Sequence, residues 1–431
     1  MGVEELSKTI IAYFPHLTGD VPPEAVNHSE PVDIYHDIMT RLMAVASMLS
    51  EQYPNGVTGR DMYDRMIIPV RDMIATRTYA EDSPHVHLIT ICADKQIYVP
   101  KKKGKLQAKR NESREKKEVP MLDADKLYQF DDQGMYSQLE RIFADDPLSV
   151  ESKPFNPLSV MMSRAVRLEL YHYFWRAMQD DNSLWPVNLK DASVDAPVVW
   201  GPRLRFVFDF DPDLSAGAHV MEIDSTGTRH LSRLPENNRI GEGENSVIWH
   251  LRRNWVERGA VRISIHTTDQ DMCALLVMHF WFYDLSLLKT FLWHRNDFKL
   301  HSAFHIPHVI EAFRKAGWTR PRFAALCTLL GSDYAERIPG VGAPNAREAA
   351  YLVNREYTKQ WLGEVVAIPD VYVPLRITQF SMFVSELIRY KWPSKNAAAV
   401  NALVKEHLPR LHGDYVWQTQ YWFELYEPRE E

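Results

Sequence analysis

The chain has 431 residues, 45% of them hydrophobic and 25% charged, with a formal net charge of −7. That balance supports a sizeable core, suits two or three globular domains and excludes a disordered chain. It does not advertise a polyanionic partner, so any contact with nucleic acid must come from a local basic tract.

Cysteine occurs three times, at Cys92, Cys273 and Cys327, without C-x-x-C spacing. This argues against a disulfide scaffold or a structural zinc site and fits a reducing compartment. No signal-peptide pattern or bilayer-length apolar run is visible, so a soluble intracellular protein without a membrane partner is expected. Met1-Gly2 would suit myristoylation, but Leu6 stands where that motif needs Ser or Thr.

Taken in order, residues 3–14 predict a short amphipathic helix, with Leu6, Ile10, Ile11 and Phe14 at helical spacing. Pro31-Val32-Asp33 reads as the end of a strand, and Ile34–Leu49 as the helix after it, which puts Asp33 at a strand-to-helix junction. Asp61–Arg77 predicts another helix, broken or kinked at Pro69. Val86–Ala93 is an apolar run of the kind found in buried parallel strands, with Asp94 at its carboxyl end.

A basic tract follows: residues 101–117 hold nine Lys or Arg in seventeen. Such runs are often solvated tails or nuclear-import signals. A tract close behind a strand-edge aspartate also suits a phosphate-gripping segment. Residues 120–235 are less legible. Ser159–Met178 predicts a helix, and Leu204–Phe210 and Ala218–Ile223 read as strands. Trp185 and Trp200 read as packing residues rather than base-stacking platforms.

The densest chemistry lies between Ile240 and Asp271. Glu242-Gly243-Glu244 precedes a predicted helix, Asn245–Arg258, and Asp269-Gln270-Asp271 follows a β-branched run, Val261–Ile265. Carboxylates at such edges can aim into the ligand crevice of an open α/β sheet. Gathered together they repel unless a cation neutralises them, and hard oxygen donors suit Mg²⁺ or Mn²⁺.

Beyond them, Leu275–Phe282 reads as a buried strand, and Ile306–Ala316 and Arg322–Leu330 as helices. Ile338-Pro339-Gly340-Val341-Gly342 then leads into a helical Ala346–Val353. A Gly-x-Gly hairpin between helices lets backbone N–H groups approach phosphates. Residues 354–431 read as mainly helical, with an aromatic tail at Tyr415–Tyr426 that suits packing.

In this order the motifs resemble the flap endonuclease superfamily of metal-dependent 5′ nucleases, which includes the 5′→3′ exoribonucleases. Val32-Asp33 is similar to the family's first metal-binding aspartate. Ala93-Asp94 with Lys101, Lys102 and Arg110 resembles its second aspartate and the basic residues of its arch. Gly241-Glu242-Gly243-Glu244 is nearest to the exoribonuclease branch, and Thr268-Asp269-Gln270-Asp271 resembles the Thr-x-Asp-x-Asp element. Leu330-Gly331-Ser332-Asp333-Tyr334 with residues 338–342 resembles the last acid and the helix–two-turn–helix. These matches cover residues 1–110 and 240–355.

The resemblance implies an α/β fold with a PIN-like 5′ nuclease core: a central, mostly parallel sheet flanked by helices, with a long insertion and a helical C-terminal region. The expected divisions are 1–100 and 240–355 for the two parts of the core, 101–239 for the basic arch-like segment and insertion, and 356–431 for the helical region. It implies hydrolysis of phosphodiester bonds in branched or 5′-ended DNA, as in replication or repair. Two Mg²⁺ or Mn²⁺ ions would be held by Asp33, Asp94, Glu242, Glu244, Asp269, Asp271 and Asp333. Lys101 or Lys102 and Arg110 would act on the transition state. Lys103, Lys105, Lys109, Gly340 and Gly342 would bind nucleic acid, with K⁺ at the hairpin. A ribonuclease, exonucleolytic or mRNA-cutting like the herpesvirus host-shutoff nucleases, is the alternative, and an inactive nucleic-acid-binding scaffold the third reading. A nuclear location or a viral source would be compatible with either enzyme.

Overall fold

The computed structural model describes residues 3, 5–17, 32–69, 86–94, 154–162, 164–182, 184, 203–208, 210, 218–224, 226–233, 242–258, 262–282, 290–294, 303–332, 335–361 and 375–423. The elements in chain order are α1 (Leu6–Tyr13), β1 (Val32–Asp37), α2 (Ile38–Gln52), α3 (Gly59–Met66), β2 (Val86–Cys92), α4 (Ser159–Met162), α5 (Arg164–Asp180), β3 (Arg203–Phe208), β4 (His219–Ile223), β5 (Arg229–Arg233), α6 (Gly243–Arg258), β6 (Arg262–His266), α7 (Gln270–His279), β7 (Thr290–His294), β8 (Ala303–His305), α8 (Ile306–Lys315), α9 (Arg320–Leu330), α10 (Ala343–Trp361), α11 (Ile377–Lys391) and α12 (Ala397–Phe423). They divide into two compact units, one spanning Val26–His266, the other combining Met1–Ala25 with Thr267–Glu431. Among the described residues no helix is long and apolar enough to cross a membrane.

The unit Val26–His266 is an α/β structure on a mixed, mostly parallel sheet. Its strands run in the order β5-β4-β3-β2-β1-β6. β1 is parallel to β2 and β6, and β2 to β3, while β4 and β5 are antiparallel additions. Every residue of β1 is buried, as expected where helices cover both faces of a parallel sheet. Ile34, Ile89, Phe206 and Met221 share a core with Leu42 of α2, Tyr63 of α3 and Tyr171 and Phe174 of α5. On the opposite face α6 packs against β1 and β2. The two-residue period of a strand puts Asp33, Tyr35 and Asp37 on that second face.

Two expectations change here. The strand does not end at Asp33: it runs on to Asp37, and the helix begins at Ile38. Val-Asp-Ile-Tyr-His-Asp is too polar to announce a central strand, yet each polar side chain finds a place within the sheet's layers. The second change adds an unforeseen strand, β5, at residues that are almost all exposed and carry little apolar pattern.

In the other unit the run Leu275–Phe282, read as a strand, is the end of α7 (Gln270–His279) and the turn after it. Asp271 to His279 are all buried. A helix covered on every side shows the same unbroken apolar run as a buried strand. α1 packs against α7, and the Gln270 Oε1 atom accepts a hydrogen bond from the Ser7 N–H at 2.9 Å. β7 and β8 form an antiparallel pair, and α9 to α12 pack on one another.

Candidate functional site

The carboxyl edge of the parallel strands begins with Asp37. It closes β1 and caps α2, its Oδ1 accepting from the Met39 N–H at 2.9 Å. In register it lies opposite Cys92, the last residue of β2, and Asp94 follows two positions later. Asp33, expected at this edge, pairs instead with Leu88 and is buried near the start of the strand. Four residues at about 3.3 Å each separate the two aspartates by about 13 Å along β1. The edge position expected for Asp33 is therefore occupied by Asp37.

The amino end of α6 meets these aspartates. The Gly243 N–H donates to Asp94 Oδ1 at 3.0 Å. A Cβ on Gly243 would stand 2.8 Å from Asp37 Oδ1 and 3.5 Å from Asp94 Oδ1, so both carboxylates crowd one point above a bare backbone. Glu242 and Glu244, the neighbours of Gly243 in the chain, are each only 7% exposed. A helix amino terminus favours negative charge, which offsets part of the repulsion.

Cys92 lies close to this cluster. Burial pushes its thiol up to about 12; the Asp37 and Glu244 charges add to the rise, while a hydrogen bond with Ser246 and the Arg205 charge oppose it. In the metal-free protein the sulfur therefore stays protonated near neutral pH. What remains at the edge is a set of carboxylate oxygens.

Further along α6 a polar network ties the helix to the sheet. Asn254 Nδ2 donates to the Tyr35 hydroxyl at 2.7 Å. Arg205 on β3 reaches Asn254 Oδ1 at 3.3 Å and His250 Nδ1 at 3.4 Å. Its guanidinium also donates to Glu222 Oε2 at 3.1 and 3.0 Å, and Arg203 binds Glu222 Oε1 at 2.5 Å. Burial, then the charges of Arg205 and Arg253, hold His250 well below the usual histidine range. It is neutral at pH 7 and its ring can accept from Arg205. These bonds tie α6 to β1 and β3.

The other unit holds the second acidic pair. Asp269 caps α7, its Oδ1 accepting from the Asp271 N–H at 3.0 Å, while its own N–H donates to Thr267 Oγ1 at 3.1 Å. Asp271 is buried. Burial drives the Cys327 thiol far above its ordinary range, with Cys273 and Asp271 adding to the effect.

The hairpin before α10 forms a turn in which Ile338 O accepts from the Val341 N–H at 3.0 Å. Gly340 has φ +79°, a left-handed conformation that favours glycine. Gly342 is different: its carbonyl accepts from the N–H groups of Asn345 and Ala346, and a Cβ there would meet only ordinary contact. Asp333, Lys101, Lys102, Lys103, Lys105, Lys109 and Arg110 lie outside the described residues, as do Trp185 and Trp200.

One residue of the edge escaped the sequence reading. Asp37 carried a usable signal, since an Asp directly before an apolar-periodic run is a helix-start pattern. Gly243 stood out only as part of Glu242-Gly243-Glu244, because its steric role depends on Asp37 and Asp94 arriving from two other strands. Among the described residues no three His, Cys, Asp or Glu side chains are gathered into a ready ligand sphere. The donor chemistry at the edge still fits a hard divalent cation: charged oxygens, no thiolate, and two carboxylates converging on one point.

No protein-family model matches the chain, and no curated protein matches it.

Proposed function

We propose that the chain is a divalent-metal-dependent nuclease that hydrolyses phosphodiester bonds at 5′ ends or flaps of DNA. The observation that carries this reading is the approach of Asp37 and Asp94 to Gly243, with Glu242 and Glu244 beside it. Carboxylate oxygens gathered at one point suit a hard divalent cation. When bound, divalent cations supply an acidified water and neutralise charge on the phosphate. Asp37 and Asp94 hold that positive charge at the carboxyl edge of the parallel strands, where ligands of α/β sheets bind. The Gly243 N–H orients Asp94, and the resemblance would add Glu242 and Glu244 as further oxygen donors. The reading also enlists Asp269, Asp271 and Asp333 as ligands. Lys101 or Lys102 with Arg110 oppose charge in the transition state, and the hairpin at Gly340 and Gly342 grips a duplex backbone. These last assignments rest on the resemblance alone.

A ribonuclease is the second reading, and Gly243 is the observation that favours it. A side chain at that position would strike Asp37, which gives the glycine between Glu242 and Glu244 a steric reason. Gly241-Glu242-Gly243-Glu244 is the element nearest to the exoribonucleases.

A panel of 5′-labelled flap DNA, nicked duplex and single-stranded RNA, digested with and without Mg²⁺, separates the readings. Mg²⁺-dependent cleavage of flap DNA, lost in Asp37→Asn, is the expected result. Preferred cleavage of RNA moves the assignment to the second reading. No Mg²⁺-dependent cleavage of any substrate overturns both.

A further inference from the structure

The unit containing Thr267–Glu431 carries a pair of histidines that the proposed nuclease chemistry does not use. His305 precedes the first turn of α8 and His308 stands in that turn. Their ring centroids are 4.3 Å apart at an interplanar angle of 73°. His305 is 9% exposed, yet neither of its ring nitrogens has a hydrogen-bond partner among the described residues, and its side chain does not cap the helix. A buried imidazole with both nitrogens unsatisfied is costly and calls for a ligand. His308 is only half-buried, which gives an ion a route from solvent. Glu311, one turn on, is engaged with Lys315 at 2.7 Å, so it is not counted as a donor.

We propose that His305 and His308 form a binding site for a borderline-soft divalent cation, Zn²⁺ by preference, with water completing the coordination. The two rings touch edge to face with centroids 4.3 Å apart, and each can offer a nitrogen to one ion at about 2.0–2.1 Å. Nitrogen donors select against the Mg²⁺ or Mn²⁺ suited to the carboxylate edge.

The test uses the full chain, titrated with Zn²⁺ by calorimetry and with Co²⁺ by its visible d–d absorption. One equivalent should bind through these rings. His305→Gln and His308→Gln should each weaken that binding by at least about tenfold, and Asp37→Asn should leave it unchanged. Wild-type affinity in both histidine variants overturns the proposal, as does loss of the site in Asp37→Asn alone. A readout that needs no variant is modification of the wild-type histidines by diethyl pyrocarbonate. Zn²⁺ should shield His305 and His308, and equal modification with and without the ion counts against the site. Neither result depends on nuclease activity, so failure of this site and failure of the nuclease reading are separately visible.

Discussion

At Gly243 an added methyl group would lie 2.8 Å from Asp37 Oδ1, closer than carbon and oxygen tolerate. Gly243→Ala is therefore expected to push the Asp37 carboxyl aside while changing stability by no more than about 1–3 kcal/mol, the usual range for overpacking. Mg²⁺-dependent cleavage should fall at least about tenfold, in line with misplacing a catalytic group by a fraction of an ångström. Unchanged kcat with an unchanged Mg²⁺ requirement would separate Gly243 from the chemistry. Asp37→Asn and Asp33→Asn make a sharper pair. Both aspartates are buried, so both variants can lose stability. Only Asp37 stands at the strand end, and only its loss should abolish cleavage in a variant that remains folded by circular dichroism.

Helix α6 is positioned by side chains well behind the residues it presents. His250 and Asn254 meet Arg205 on the sheet, and Arg205 is held by Glu222. Glu222 is only 16% exposed in its side chain. Its carboxylate sits below its ordinary pKa: burial works against the ionised form, but the paired arginines outweigh it. Removing that charge leaves two arginines facing each other, so Glu222→Gln should cost about 1–3 kcal/mol in urea unfolding and blunt activity through the tilt of α6. His250 makes stability depend on pH in a definite direction. Its folded pKa is depressed, so below the unfolded value of about 6.5 the unfolded chain binds a proton that the folded chain refuses. Stability should fall as pH drops from 7 to 5, by up to about 1.4 kcal/mol per pH unit from this group. His250→Gln should flatten that slope in urea midpoints measured across the same range. A slope identical to wild type would remove His250 as its source.

For the whole molecule, a net charge of −7 must coexist with a nucleic-acid substrate if the proposed function holds. Nine Lys or Arg within residues 101–117 supply the local exception. Replacing Lys101, Lys102, Lys103, Lys105 and Lys109 with alanine should weaken DNA binding and lower the salt dependence of log K by about 0.9 for each phosphate that is no longer neutralised. An unchanged salt slope would assign the tract to another task. Gly340→Ala forces a side chain into φ +79°, a strain of roughly 1 kcal/mol. It should weaken duplex binding more than cleavage of a short single strand; equal losses would deny the hairpin that role.

The local patterns determined a good deal unaided. The glycine-bearing turn before α10 was legible because turns depend on near neighbours in the chain. β2 and most helices announced themselves through apolar spacing. What the sequence could not decide was which element a buried apolar run becomes, or which of two aspartates in Val-Asp-Ile-Tyr-His-Asp reaches the sheet's edge. α7 looked like a strand because total burial erases the helical period, and β1 looked like a helix start because its polar residues find partners only in the folded layers. The pairing of Asp37 with Asp94 over Gly243 joins positions 206 residues apart at its widest (37 to 243). Parallel strand register and the docking of α6 bring them together, and both are set by packing between segments that carry no mark of one another in the chain.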